Sequence, residues 1–257
     1  MGKVFLVGAG PGDPELLTVR AARMLARAGV VLHDALVSRK ILETISPAAR
    51  VIDVGKRCGK KLLTQDEINA LLVHYALSHE IVVRLKGGDP SIFGRAGEEI
   101  EALRNANIEF EIVPGITSAL GAAAATGISL TDRRVASQVL FATFSRDISR
   151  SALAWGSITS TTTLVLYMPG RDYAEVARRL SESGLPAELP CVIVSAASNS
   201  QQQIRWTSVG RLASEEMLPA PALMIVGRVA SRQIRELSAS YWRNTKKEES
   251  IQRISIS

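Results

Sequence analysis

The sequence predicts an α/β protein built as two α/β domains. Three observations carry that expectation. Apolar strand-like runs alternate with helix-like runs through the first half, short glycine turns follow several strands, and the second half holds many strands but few helices. Such alternation implies a mainly parallel sheet with crossover helices. The strand VFLVG (4–8) leads into the helical run ELLTVRAARMLARAG (15–29) and then the strand VVLHD (30–34). The strand RVIDV occupies 50–54. Thr64 and Glu67 have capping-box spacing and open the helix TQDEINALLVHYALSH. The strand EIVVRLKGGD, a helix over 97–107 and the strand EFEIV complete the first set.

Pro114-Gly115 marks the expected boundary, giving domains over 1–114 and 115–240 and a polar tail over 241–257. Later strands are expected at 138–144, 162–168, 190–195, 202–208 and 220–227, with one clear helix at 172–184 and a shorter one near 209–217. That half reads as mixed and more antiparallel. The tail, YWRNTKKEESIQRISIS, reads as loosely ordered.

The composition narrows the function. A hydrophobic fraction of 46% supplies a core and excludes disorder as the main state. Aromatics make up only 5%, which argues against a stacking platform for single-stranded nucleic acid. The net charge is +6, but the segment from Arg228 onward carries seven Lys/Arg against three Asp/Glu, so much of the basicity lies near the end. A basic balance favours an acidic partner without choosing among RNA, DNA and a polycarboxylate or phosphate ligand. Cys58 and Cys191 lack metal-site spacing, so no metal is expected and the setting reads as reducing and cytoplasmic. The apolar run at the amino terminus is too short for a signal peptide. Ile112–Thr131 is uncharged but mostly Gly, Ala, Ser and Thr, too weakly hydrophobic to enter a membrane; it reads as a close-packed buried helix.

Three glycine turns are the candidate sites. In GAGPGD, Gly8 and Gly10 fit a dinucleotide fingerprint, but Asp13 replaces the sixth-position glycine and sets a negative charge where a pyrophosphate would lie. No Walker loop is present. A nicotinamide-dependent dehydrogenase is therefore disfavoured, and Asp13 and Glu15 suit a helix start. In VVRLKGGDPSIFGRAGEE a strand ends in bare backbone, the place where open α/β sheets bind ligands. Asp89 is suited to accept hydrogen bonds from a ribose or an amine, and Arg95, Glu98 and Glu99 cluster at a helix start, where they also read as a surface ion pair and cap. In VPGITSALGAAAATG, Thr117 and Ser118 lie where they could cap a helix of small residues. Each turn alone also has a purely structural reading.

Taken in order, the turns resemble the tetrapyrrole methylases, over roughly residues 3–235. The resemblance is carried by VGAGPGDPELLT, HDALVS, VGKRCGKKLLTQDEIN, VVRLKGGDPSIFGRAGEE, VPGITSALGAAAATGISLTDRRVAS, TLVLYM and PALMIVGRV. GGDPSIFGR and GKRCG…QDEIN are specific to the branch that methylates uroporphyrinogen III; GAGPGD alone would indicate only the wider superfamily. The resemblance implies two α/β domains with S-adenosylmethionine in a cleft between them, and usually a homodimer. It implies methyl transfer to two ring carbons of uroporphyrinogen III, giving precorrin-2 and S-adenosylhomocysteine, on the way to sirohaem or cobalamin. It implies cofactor contacts at Pro11, Gly87, Gly88, Asp89, Ile92, Thr117, Ser118, Met168 and Ser198. Met168 by itself would read as core. It further implies Asp34 as proton acceptor, Lys56 as proton donor, and Arg95, Glu98 and Arg133 facing the substrate. Arg57, Lys60, Lys61 and Arg134 are further candidates for the substrate's carboxylates. A nucleic-acid or membrane partner is not expected. A later corrin-ring methylase is the closest alternative.

The chain departs from the family at several points. His33 replaces a tyrosine beside Asp34; Ser129 and Asp132 replace a proline and a histidine; Ala96 and Ser198 replace glycines. Asp132 places a negative charge near a polyanionic substrate, a cost that Arg133 or Arg134 would have to neutralise.

Overall fold

The computed structural model describes residues 2–55, 63–144, 158–170 and 172–231. The chain divides into two compact units, taken over their described residues: Met1–Ala122 with Ala196–Gln202, and Ala123–Ser195 with Gln203–Ser257.

The first unit holds β1 (Lys3–Gly8), β2 (Val30–His33), β3 (Arg50–Asp53), β4 (Ile81–Lys86) and β5 (Glu109–Val113) in the order β3-β2-β4-β1-β5. Every pairing is parallel. Parallel strands need crossovers, and α1 (Val19–Arg27), α2 (Arg39–Leu42), α3 (Gln65–Ser78) and α4 (Ala96–Asn105) supply helix for them. Side chains alternate along a strand. Val4, Leu6, Val30, Leu32 and Val82 accordingly pack with Leu72 and Tyr75 of α3 and Leu103 of α4, while Phe5, Val7, Val31, Val83 and Leu85 pack with Leu25 of α1 and Ile41 of α2. Both faces are covered, which explains why β1, β2 and β4 read as continuous apolar runs. The capping box at α3 forms: Glu67 N–H donates to Thr64 Oγ1 at 3.2 Å, and the Glu67 carboxylate accepts from Thr64 N–H.

The second unit holds β6 (Gln138–Thr143), β7 (Thr162–Tyr167), β8 (Pro190–Ser195), β9 (Gln203–Ser208) and β10 (Ala222–Val226) in the order β6-β7-β10-β8-β9. Only β6 and β7 run parallel; the other three pairings are antiparallel. The helix α6 (Tyr173–Glu182) and a 3-10 turn over Val209–Ser214 share a core with β7, β8 and β10.

Two elements differ from expectation. The helical run over 15–29 splits into a 3-10 turn at Pro14–Leu16 and α1, because Asp13 and Thr18 each accept a backbone N–H and cap separately. Ile112–Thr131 is not one buried helix. It contains the end of β5, a Pro-Gly turn and the nine-residue α5 (Ser118–Thr126), with Leu120 half exposed. Pro114 and Gly115 stop any helix from running through. Among the described residues no helix is long and apolar enough to cross a membrane.

Candidate active site

β4, β1 and β5 are neighbours, so their carboxyl ends bring the three glycine turns together. Gly88 N–H donates to Gly10 O at 2.8 Å and Gly10 N–H to Gly88 O at 3.1 Å. The Asp89 carboxylate accepts from Ser91 N–H at 2.8 Å and from Gly115 N–H at 2.9 Å, tying the second turn to the third. A Cβ on Gly8 would stand 2.5 Å from Gly115 Cα, and one on Gly115 would overlap the Gly88 carbonyl oxygen. Gly88 also has φ +67°, which favours glycine. Gly87 differs: a Cβ there would meet only Leu36, at 3.4 Å, so its backbone stands clear. Thr117 Cα and the Ser118 nitrogen lie 3.7 Å from where a Gly88 Cβ would be. Gly87, Gly88, Thr117 and Ser118 thus lie together, with Thr117 buried, the glycine backbone bare and Asp89 as the tie. Bare backbone at strand ends is what a nucleoside-bearing donor requires for close approach, so these residues fit S-adenosylmethionine.

Pro11 and Ser198 both close on Gly121. A Cβ on Gly121 would lie 2.9 Å from the Pro11 ring and 3.0 Å from Ser198 Oγ. Residues 198–202 and 12–14 line a cavity of about 590 Å³ with Ser38, Arg39 and Lys40. Ser198 has φ 59°, Arg95 φ 55°, Phe93 φ 51° and Met168 φ 51°. A left-handed conformation costs a non-glycine residue about 1–2 kcal/mol. Such strain gathers at functional sites; of the six described non-glycine residues with positive φ, Asn107 and Ala196 included, three are candidates from the sequence.

The second cavity borders a cluster of charged groups. Asp34 follows β2, which borders β4, and side-chain alternation puts Asp34, Arg84 and Lys86 on the face covered by α3 and α4. Glu99, in the first turn of α4, comes down onto them. Lys86 Nζ donates to both Glu99 oxygens at 2.8 and 2.9 Å, Arg84 Nε to Glu99 Oε1 at 2.9 Å, and Arg84 Nη2 to the Asp34 carboxylate. Arg84 and Lys86 are 2% exposed and Glu99 0%, whereas the Asp34 side chain is 31% exposed. Burial, and then the neighbouring guanidinium, pull the Lys86 pKa below its usual value; burial opposes the Arg84 charge, but Asp34 and Glu99 outweigh it and raise that pKa. Asp34, Arg84, Lys86 and Arg95 line a cavity of about 380 Å³ with Leu36 and Phe93 as apolar walls.

The remaining candidates are spread more widely. Ile92 is partly buried in the loop after Asp89. Arg95 binds Glu98 through two bonds of 2.7 and 2.6 Å at the exposed start of α4, the expected surface pair. Glu99 departs from that reading, since α4 turns it inward. Met168 follows β7 in the second unit and is 57% exposed, so it is not core. Arg133, also in the second unit, is exposed. Asp132 is neutralised by Arg134, at 2.9 and 2.6 Å, and these hydrogen bonds lower its pKa to about 2. Lys56, with Arg57, Cys58, Lys60 and Lys61, lies outside the described residues. Sequence reasoning missed Arg84 and Lys86. Their signal was two cations at i, i+2 in an otherwise apolar strand, a pattern that demands a buried counter-charge.

Known proteins resemble this chain in sequence and fold. A uroporphyrinogen-III C-methyltransferase of Paracoccus denitrificans is 48% identical over 238 residues, spanning 90% of this chain and 82% of that protein. A siroheme synthase of Actinobacillus pleuropneumoniae is 44% identical over 91% of this chain, which spans only 48% of that longer protein. A solved uroporphyrin-III C-methyl transferase of Thermus thermophilus, complexed with S-adenyl homocysteine, superposes with a TM-score of 0.77 at 37% identity, covering 89% of this chain and 98% of that one. The family model for tetrapyrrole (corrin/porphyrin) methylases matches residues 3–213, and the chain belongs to that family.

Proposed function

We propose that this chain is an S-adenosylmethionine-dependent methyltransferase that converts uroporphyrinogen III to precorrin-2 by methylating two ring carbons. The observation that carries the reading is the meeting of the three glycine turns at the ends of β4, β1 and β5, with Asp34 at the end of the adjoining strand β2. Family membership and the likeness to uroporphyrinogen-III C-methyltransferases support it.

When bound, S-adenosylmethionine supplies an electrophilic methyl group on a sulfonium. The chain's part is to hold, align and accept a proton. Gly87 and Gly88 offer backbone without side chains, Thr117, Ser118 and Ile92 flank it, and Pro11, Ser198 and Met168 complete the expected contact set. A porphyrinogen carbon is electron-rich enough to attack directly, so alignment lowers the barrier by several kcal/mol. Each transfer forms one C–C bond, breaks one S–C bond and releases one proton. Asp34 takes that proton, with Lys56 as the matching donor. Arg95, steadied by Glu98, and Arg133 meet the substrate's carboxylates. A homodimeric assembly and a cytoplasmic setting belong to the same proposal and rest on the family likeness.

Incubation with uroporphyrinogen III and the methyl donor is expected to give a product heavier by two methyl groups. Donor binding without any gain in mass would point to another ring substrate and sink the reading. Asp34→Ala is expected to lose turnover by about 10²–10⁴-fold while calorimetry still records donor binding.

A further inference from the structure

The Asp34 carboxylate is held by groups with no role in the chemistry above. Its N–H donates to Leu85 O at 3.1 Å. Its carbonyl lies 3.0 Å from His33 Nδ1, and since a carbonyl only accepts, the proton sits on that ring nitrogen. Its carboxylate receives Arg84 Nη2. The rest of the guanidinium is committed elsewhere: Nε to Glu99, and Nη1 to the carbonyls of Leu85 and Leu32 at 3.2 and 3.4 Å. Glu99 takes Lys86 on both oxygens and lies within 3.5 Å of Gln65 from α3. Among the described residues, the charged groups around Asp34 are therefore Arg84 and Lys86 from β4, Glu99 from α4, and Arg95 across the cavity.

A buried ion cluster gains little stability over apolar packing of the same volume, because its charges lose their water. What it does provide is direction. Glu99 has no exposure and cannot meet a ligand, but it fixes the guanidinium plane whose far edge holds Asp34, the one carboxylate among the described residues lining the cavity.

We propose that Glu99 is a positioning residue for methyl transfer: through Arg84 it sets the direction in which Asp34 faces the cavity, and Lys86 anchors Glu99. This rests on the reading of Asp34 as proton acceptor.

The test is a cycle of variants in the full chain, assayed with uroporphyrinogen III and S-adenosylmethionine. Wild type must first add two methyl groups; if it binds the donor and leaves the mass unchanged, the functional reading fails and takes this role with it. Given turnover, Glu99→Gln is expected to lower kcat about a hundredfold with donor affinity unchanged, and to displace the pH profile of kcat. In an Asp34→Asn background the same change is expected to add less than about twofold, because its effect runs through Asp34. Glu99→Asp keeps the charge but withdraws it by one methylene. It is expected to fold and lower kcat about tenfold, and it decides the matter should Glu99→Gln not fold. Full kcat in a folded Glu99 variant, or losses that multiply in the double variant, would overturn the role while leaving the functional reading intact.

Discussion

The ion cluster beneath β2 and β4 and the ion pairs along α6 use the same residue types to opposite ends. On α6, Arg178 binds Glu175 at 2.6 Å and reaches Glu182, while Arg179 binds Glu175 at 2.9 Å, all at helical spacing. Arg178 and Glu182 stay about half exposed, so water competes for their bond and little stability depends on it, while Glu175 and Arg179 are partly buried. In the cluster, Arg84, Lys86 and Glu99 have almost no contact with water. There each charge needs its partner, and removing one is costly even where forming the set gained little. Exposed pairs decorate a helix; the buried set fixes a geometry.

Three experiments would break or sharpen that contrast. The largest effect is expected from Glu99→Ala, which strands two buried cations and should destabilise the fold by about 3–5 kcal/mol in denaturant titrations. A loss of under about 1 kcal/mol, the size of a surface pair, would erase the distinction. Next, Arg84→Met, Lys86→Met and Glu99→Leu together remove the charges but keep the bulk. Asp34, partly exposed, can turn to water. Stability is expected to be unchanged or higher by about 1–4 kcal/mol, with turnover abolished. A collapse of the fold would mean that the cluster serves stability after all. The smallest effect is expected on α6. Hydrogen bonds from Arg178 and then Arg179 lower the Glu175 pKa from 4.5 to about 2. A carboxylate whose folded pKa is depressed stabilises fully above its unfolded pKa, and that share is lost as pH falls from 4.5 through about 2. Thermal melts of Glu175→Gln should therefore fall slightly below wild type at neutral pH, converge with it near pH 2, and differ less in high salt.

Particular residues mark how far the sequence could be read. The strands and α3 were legible because apolar runs and the Thr64–Glu67 box are local signals, and so was the Asp132–Arg134 pair, two residues apart. The residues alone named the three turns, and only the family resemblance put them on one cofactor. Their adjacency depends on the order β3-β2-β4-β1-β5, which arises only when crossovers have been laid over the sheet. Glu99 misled for a related reason: in the first turn of a helix an acidic residue already has a local role beside the N-terminus, and nothing nearby in sequence says that α4 presses it against Arg84. Ile112–Thr131 misled through its missing charges, which hid a strand end, a turn and a short helix within one uncharged stretch.

The contact of Gly8, Gly88 and Gly115, backbone against backbone, limits how the chain can be re-engineered. A single added carbon at Gly8 or Gly115 has nowhere to go, so libraries that randomise those codons would chiefly sample broken proteins. Leu36 and Phe93, exposed walls of the cavity beside Asp34, offer room for change, and selections for altered macrocycle preference belong there.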